Sequence, residues 1–150
     1  MTETMIDVAA HLDAPVERIW PLLAEADGVR RWYAFDGAEL DPVPGGAVVF
    51  RWREHGDYRG VVERVVPGSL LALRCSLFPG AEPEPGSATL VEFHVEPDGD
   101  GARVRIVETG FAALNCTEEE QRLRARENSE GWRAALELLR GLVEDGDDTR

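Results

Sequence analysis

Between residues 35 and 110 apolar and polar side chains alternate in short runs, each closed by a cluster of Gly, Pro or Asp, and after residue 116 the period becomes helical. Alternation puts every second side chain on one face of a strand. Turns this short permit antiparallel pairing and leave no room for crossover helices. The runs are AVVFRWR (47–53), YRGVVERVV (58–66), LLALRCSLF (70–78), TLVEFHVE (89–96) and RVRIVETGF (103–111). PVPGGA, EHGD, PGS, the Pro/Gly-rich loop 79–87 and PDGDGA mark the turns. An earlier run, MIDVAAHL, adds a first strand over 5–12.

Two short helices are predicted after that strand. Asp13 is the candidate N-cap, Pro15 suits the first turn, and Val16, Ile19, Trp20 and Leu23 fall on one stripe. Pro21 is expected to end or bend this helix, and Gly28 to separate it from a second, GVRRWYAF. The C-terminal helix starts at a capping box formed by Thr117 and Glu120. Leu123, Trp132, Ala135, Leu136, Leu139, Leu142 and Val143 recur along it, Gly131 marks a kink or a close approach, and the tail 145–150 reads as disordered. One curved sheet cannot bury its inner face alone, so the long helix must cover it. The fold class is therefore α+β: a curved antiparallel sheet of six to seven strands wrapped around a long C-terminal helix. Residues 1–144 form a single domain in this reading, and a sheet wrapped around a helix tends to leave a cavity between them.

Charge and cysteine content narrow the function classes. The formal net charge of −13 makes nucleic acid and anionic membranes poor partners. All 16 basic residues are Arg, which excludes a Schiff-base or P-loop lysine. Cys75 and Cys116 show no CxxC spacing or disulfide framework and read as reduced thiols of a cytoplasmic protein. No signal peptide or membrane span is evident. His11 and His94 fall on outward faces and His55 in a turn, without the spacing of a metal pair, so neither a metal nor a cofactor is expected. There is no nucleophile elbow, and GDG at 99–101 is a hairpin turn, not a phosphate loop.

One residue breaks the pattern. In RVRIVETGF, Val104 and Ile106 define the inward face, and the same alternation turns Glu108 inward. A buried carboxylate without partners is costly. Inward aromatic residues accompany it: Trp20, Trp32, Trp52 and Trp132 fall on inward faces or core stripes. Trp52 and Trp132 are the stronger cavity candidates, Trp20 a core residue.

Four stretches, APVERIWPLLAEADGVRRWYA, GVVERVVPGSLLAL, VEFHVEPDGDGARVRIVETGF and NSEGWRAALELL, cover nearly the whole chain. In this order they resemble the SRPBCC (START/Bet v-type) helix-grip superfamily, and within it the bacterial Aha1-like domains named for the activator of heat-shock protein 90 ATPase. The pairing of a strand ending ETGF with a later NxxGW helix carries much of that likeness. The resemblance implies a deep cavity between helix and sheet that binds lipids, polyketides or other apolar molecules, and it places Glu108 near that cavity.

Arg124, Asn128 and Trp132 succeed one another at one-turn spacing, so Glu108 is expected to pair with Arg124 or Asn128. Two roles stay open for this group: the polar end of a ligand pocket, or a lock between helix and sheet. The favoured function is non-catalytic binding of a small hydrophobic or aromatic ligand. Trp52, Phe93, Ile106 and Trp132 would form walls, Phe111 would lie near the mouth, and Glu108, Asn128 and Arg124 would anchor polar atoms. The alternatives are a protein-interaction, co-chaperone-like domain, and, less favoured, a small enzyme with Glu108 as acid or base. Monomer and homodimer are both compatible with the sequence.

Overall fold

The computed structural model describes residues 5–144; the expected tail over 145–150 lies outside the described residues. The six alternating runs form strands β1 (Ile6–Leu12), β3 (Ala47–Trp52), β4 (Gly56–Val66), β5 (Leu70–Ser76), β6 (Ala88–Asp98) and β7 (Gly101–Thr109), and a three-residue strand outside those runs, β2 (Ala38–Leu40), precedes β3. They make one antiparallel sheet in the order β1-β7-β6-β5-β4-β3-β2, which curves around the C-terminal helix. Helices α1 (Val16–Ala24) and α2 (Ala26–Trp32) follow β1, and α3 (Glu118–Glu144) closes the fold. The architecture is the expected α+β helix grip.

Register explains where Glu108 points. It lies opposite Ile6 on β1 and Val91 on β6, and the row continues through Leu73 on β5 to Val62 on β4. All four neighbours in that row are buried, and Glu108 is 1% exposed. Sheet alternation thus delivers a carboxylate into an apolar row regardless of its chemistry.

The capping box of α3 forms as expected: Thr117 Oγ1 accepts from the Glu120 backbone N–H at 3.1 Å, and Glu120 Oε1 accepts from the Thr117 N–H at 3.1 Å. Ala125, Trp132, Ala135, Leu136, Leu139 and Val143 are the buried residues of α3. Leu123, expected on that stripe, is 44% exposed. It precedes Trp132 by about two and a half helical turns and so points to the opposite side. Gly131 is exposed, and nothing approaches the position its Cβ would take, so it marks no close packing.

The first helices depart further from expectation. Asp13 does not cap α1; Pro15 occupies the N-cap without a side-chain bond, and Asp13 Oδ1 lies 3.0 Å from His11 Nε2 instead. Pro21 sits inside α1, which continues to Ala24. The break between the helices falls at Glu25, which is extended (φ −116°, ψ 143°), and Gly28 is inside α2. Its role is close approach rather than a turn. A Cβ there would lie 2.3 Å from the Pro21 carbonyl oxygen and 2.6 Å from the Leu22 Cα. Those are backbone atoms that cannot swing aside.

Gly28→Ala is therefore expected to lower the unfolding free energy by about 1–3 kcal/mol through forced overpacking. Gly131→Ala, facing open space, should be neutral or stabilising by up to about 1 kcal/mol because alanine is the better helix former. Urea unfolding of both variants decides the matter. Equal midpoints would rule out the close-approach role of Gly28.

Candidate functional site

The site is assembled from β7, β6 and α3. Glu108 Oε1 accepts hydrogen bonds from Trp132 Nε1 at 2.8 Å and Asn128 Nδ2 at 3.2 Å. Oε2 accepts from Thr89 Oγ1 at 2.5 Å and from the same Asn128 amide at 3.2 Å. Asn128 and Trp132 reach one carboxylate because they stand one turn apart on α3. Thr89 reaches it because it precedes Val91 by two residues on β6, on the same face. No cation is paired with Glu108 among the described residues. Burial pushes its carboxyl above the ordinary value, and the bonds from Thr89, Trp132 and Asn128 pull it partly back.

Arg124 does not join this group. Its Nη1 donates to the Leu77 carbonyl at 3.2 Å, and its guanidinium lies 4.4 Å from the centre of the Phe78 ring. Of the two partners expected for Glu108, Asn128 is the one that bonds it and Arg124 is not. At the Glu108 carboxylate the Thr89 hydroxyl and the Trp132 indole N–H take the place of a cation.

A cavity of about 600 Å³ opens between α3 and the sheet beside this group. Glu108, Trp132, Cys75 and Val91 line its buried side, and Phe35, His55, Glu127 and Leu138 its exposed rim. Tyr33 stands at its centre. Its ring stacks on Trp132 at 4.3 Å and 18°, and meets Trp52 and Phe50 edge-on at 4.8 and 5.4 Å. The Tyr33 carbonyl accepts from Trp52 Nε1 at 2.8 Å. Its hydroxyl has no hydrogen-bond partner among the described residues, and burial, followed by the charge of Glu108, raises its pKa well above that of free tyrosine. Burial likewise pushes up the Cys75 thiol, which is no nucleophile at neutral pH.

Of the residues predicted from sequence, Trp52, Glu108, Arg124, Asn128 and Trp132 line the cavity. Phe93, Ile106 and Phe111 do not; each is buried in the core behind it. Phe93 packs edge-on against Trp132 at 5.6 Å and so supports the wall from outside. Phe111, expected near the mouth, is fully buried in a 3₁₀ turn (Phe111–Ala113) that the left-handed Gly110 introduces. Tyr33, Thr89 and Tyr58 were missed as site residues. Thr89 lay within reach of inference, since it shares the inward face of β6; Tyr33 follows a helix end and carries no periodic signal. Trp32 is fully buried and donates Nε1 to the Leu22 carbonyl at 2.7 Å, while Trp20 is half-buried against the core.

Among the described residues no group of three or more His, Cys, Asp or Glu could hold a metal ion, and no helix is long and apolar enough to cross a membrane.

Residues 13–144 match the family model described as activator of Hsp90 ATPase homolog 1-like protein. No curated protein sequence matches the chain. Among solved structures, a protein of Mesorhizobium loti is similar in fold with a TM-score of 0.78 and 21% identity over 95% of this chain and 98% of that one. The Aha1 dimer from Colwellia psychrerythraea gives 0.76 and 20% over 98% and 99%. DynU16, a putative protein in the dynemicin biosynthetic locus, gives 0.78 and 17% over 99% of this chain, which spans half of DynU16.

Proposed function

The chain belongs to the family of activator of Hsp90 ATPase homolog 1-like proteins, and from that footing we propose that it binds a small hydrophobic or aromatic molecule in the cavity between the sheet and α3. The observation that carries this reading is the cavity itself: about 600 Å³, walled by Tyr33, Trp52 and Trp132, with a single buried acid at one side. Pockets of this volume with aromatic walls and few polar groups suit small molecules. The occurrence of a protein of the same fold, DynU16, in a biosynthetic locus favours the same reading. The protein would act in the cytoplasm.

A protein-interaction role, co-chaperone-like, is the second reading. It draws on the family and on Phe35 and Leu138, which are 51% and 50% exposed at the cavity rim. A homodimer, as in the Colwellia psychrerythraea protein, is compatible with either. An enzymatic role for Glu108 is least favoured, because both its oxygens already accept hydrogen bonds from three side chains.

A thermal-shift screen against lipids, polyketides and aromatic acids tests the binding reading. A ligand at 100 times its dissociation constant should add about 2.7 kcal/mol and raise Tm by about 5–10 °C. Hits confined to one chemical class are expected. A folded protein that no compound stabilises would turn the weight to the interaction reading.

A further inference from the structure

The cavity's polar groups divide into those already satisfied and those left free. Glu108 is engaged by Thr89, Asn128 and Trp132. The Ser76 hydroxyl is closed on the backbone of Phe78, bonding both its N–H and its carbonyl at 3.1 Å. What remains inside the rim is mostly donors beside the Asn128 carbonyl oxygen, while the Glu127 carboxylate and His55 stand at the exposed rim. The Tyr58 hydroxyl has no hydrogen-bond partner among the described residues, and neither has that of Tyr33. Arg124 uses one of its five N–H groups.

Arg124 also stands apart from the other half-buried arginines among the described residues. Arg51, Arg74 and Arg105 each lie against a carboxylate. Arg124, half-buried, has no carboxylate partner among the described residues, although acidic residues outnumber basic ones 29 to 16. A carbonyl and a ring face hold it instead, which fixes its position and leaves its charge uncompensated. Glu127, on the next turn and lining the same cavity, forms no ion pair with it. Tyr58 lines the cavity too; burial raises its pKa, which keeps it a donor at neutral pH, and the Arg124 charge opposes that rise.

Resting on the ligand-binding reading, we infer that the cavity takes a planar aromatic carboxylate, whose oxygens are received by the Arg124 guanidinium and the Tyr58 hydroxyl while its rings lie against Tyr33 and Trp52. A guanidinium fork matches a carboxylate in geometry as well as charge. A volume of about 600 Å³ accommodates a three-ring acid. The net charge of −13 slows the approach of an anion, but salt screens that field within about 8 Å, and the contact with Arg124 is inside that range.

The test is calorimetric titration with three probes that share one ring system: anthracene-2-carboxylate, the neutral anthracene-2-carboxamide and anthracene-2-methylammonium. The carboxylate is expected to bind about tenfold more tightly than the carboxamide, the worth of one charge-assisted hydrogen bond. Arg124→Gln should bring the carboxylate and the carboxamide to within about twofold of each other, whatever it costs the carboxamide itself. Arg124→Lys should keep part of it, since charge is retained and the fork is lost. Tyr58→Phe removes one oxygen only, and should weaken the carboxylate about fivefold even if Arg124→Gln fails to fold. If the carboxamide or the ammonium binds as tightly as the carboxylate, or if no variant shifts the ratio, the inference is overturned and the binding reading survives. If none of the three probes binds the folded protein and the wider screen also gives no hit, both fall.

Discussion

Replacing Trp132 with alanine is expected to lower the unfolding free energy by about 3–5 kcal/mol, the loss typical of deleting a buried aromatic side chain. Trp132 is 3% exposed and touches three things at once. Its ring stacks on Tyr33, it meets Phe93 edge-on, and its indole N–H holds Glu108 Oε1 at 2.8 Å. The substitution removes apolar area from the α3–sheet contact and strands part of a buried carboxylate. Trp132→Phe separates the two effects. It keeps a ring but withdraws the donor, and should cost about 1–3 kcal/mol, the range for leaving one buried polar group short. Urea unfolding followed by far-UV circular dichroism measures both. A loss below about 1 kcal/mol for Trp132→Ala would mean that the helix is held by the rest of its apolar stripe and that this node is dispensable.

The second large effect concerns Glu108 and depends on pH. Glu108→Ala orphans the Thr89 hydroxyl, the Asn128 amide and the Trp132 indole N–H together, and is expected to cost about 2–4 kcal/mol near pH 5. Glu108→Gln behaves differently. The amide mimics the protonated acid: its oxygen can keep the Trp132 bond, its NH₂ can donate to the Thr89 hydroxyl, and Asn128 can present its own carbonyl oxygen. Burial raises the Glu108 carboxyl above its ordinary 4.5. A raised folded-state pKa means that the native state holds this proton more tightly than the unfolded chain does. The associated stability is complete below the unfolded value and is lost as pH rises through the folded one. The wild type should therefore lose ground to Glu108→Gln as pH rises from the ordinary carboxylate range through the raised folded-state value, while other groups cancel in the difference. A difference that stays constant, or moves the opposite way, would show that the three hydrogen bonds outweigh burial. The same variant separates lock from anchor. If ligand affinity is unchanged in Glu108→Gln while stability shifts, Glu108 fastens α3 to the sheet and does not touch the ligand.

Much of this molecule was legible in the sequence, and the reasons are local. The strands announced themselves because pleating forces a period of two, and the hairpins because their turns carry Gly and Pro at positions few other residues tolerate. The inward turn of Glu108 followed from Val104 and Ile106 alone. The α3 cap followed from Thr117 and Glu120, which sit three residues apart in any helix that begins there. That Asn128 and Trp132 share one face of α3 was readable as helical spacing.

What the tertiary structure decided is which groups meet across elements. Periodicity says which face a side chain occupies, but not how far along a helix its partner sits. Hence Arg124, one turn from Asn128, turned to Leu77 and Phe78 rather than to Glu108. Gly28 looked like a helix breaker because glycine is flexible, yet it is present because two helix backbones nearly touch there. Phe93 and Ile106 share the inward face with Glu108, but inward on a curved sheet means either cavity wall or solid core, and only the depth of the covering helix distinguishes them. Tyr33 carried no signal at all: it lies after a helix end, and it became the centre of the aromatic cluster only when α2, β3 and α3 converged on it. Sequence fixes faces because backbone geometry repeats every two or 3.6 residues, whereas a site is a meeting of distant residues, and packing alone sets its distances.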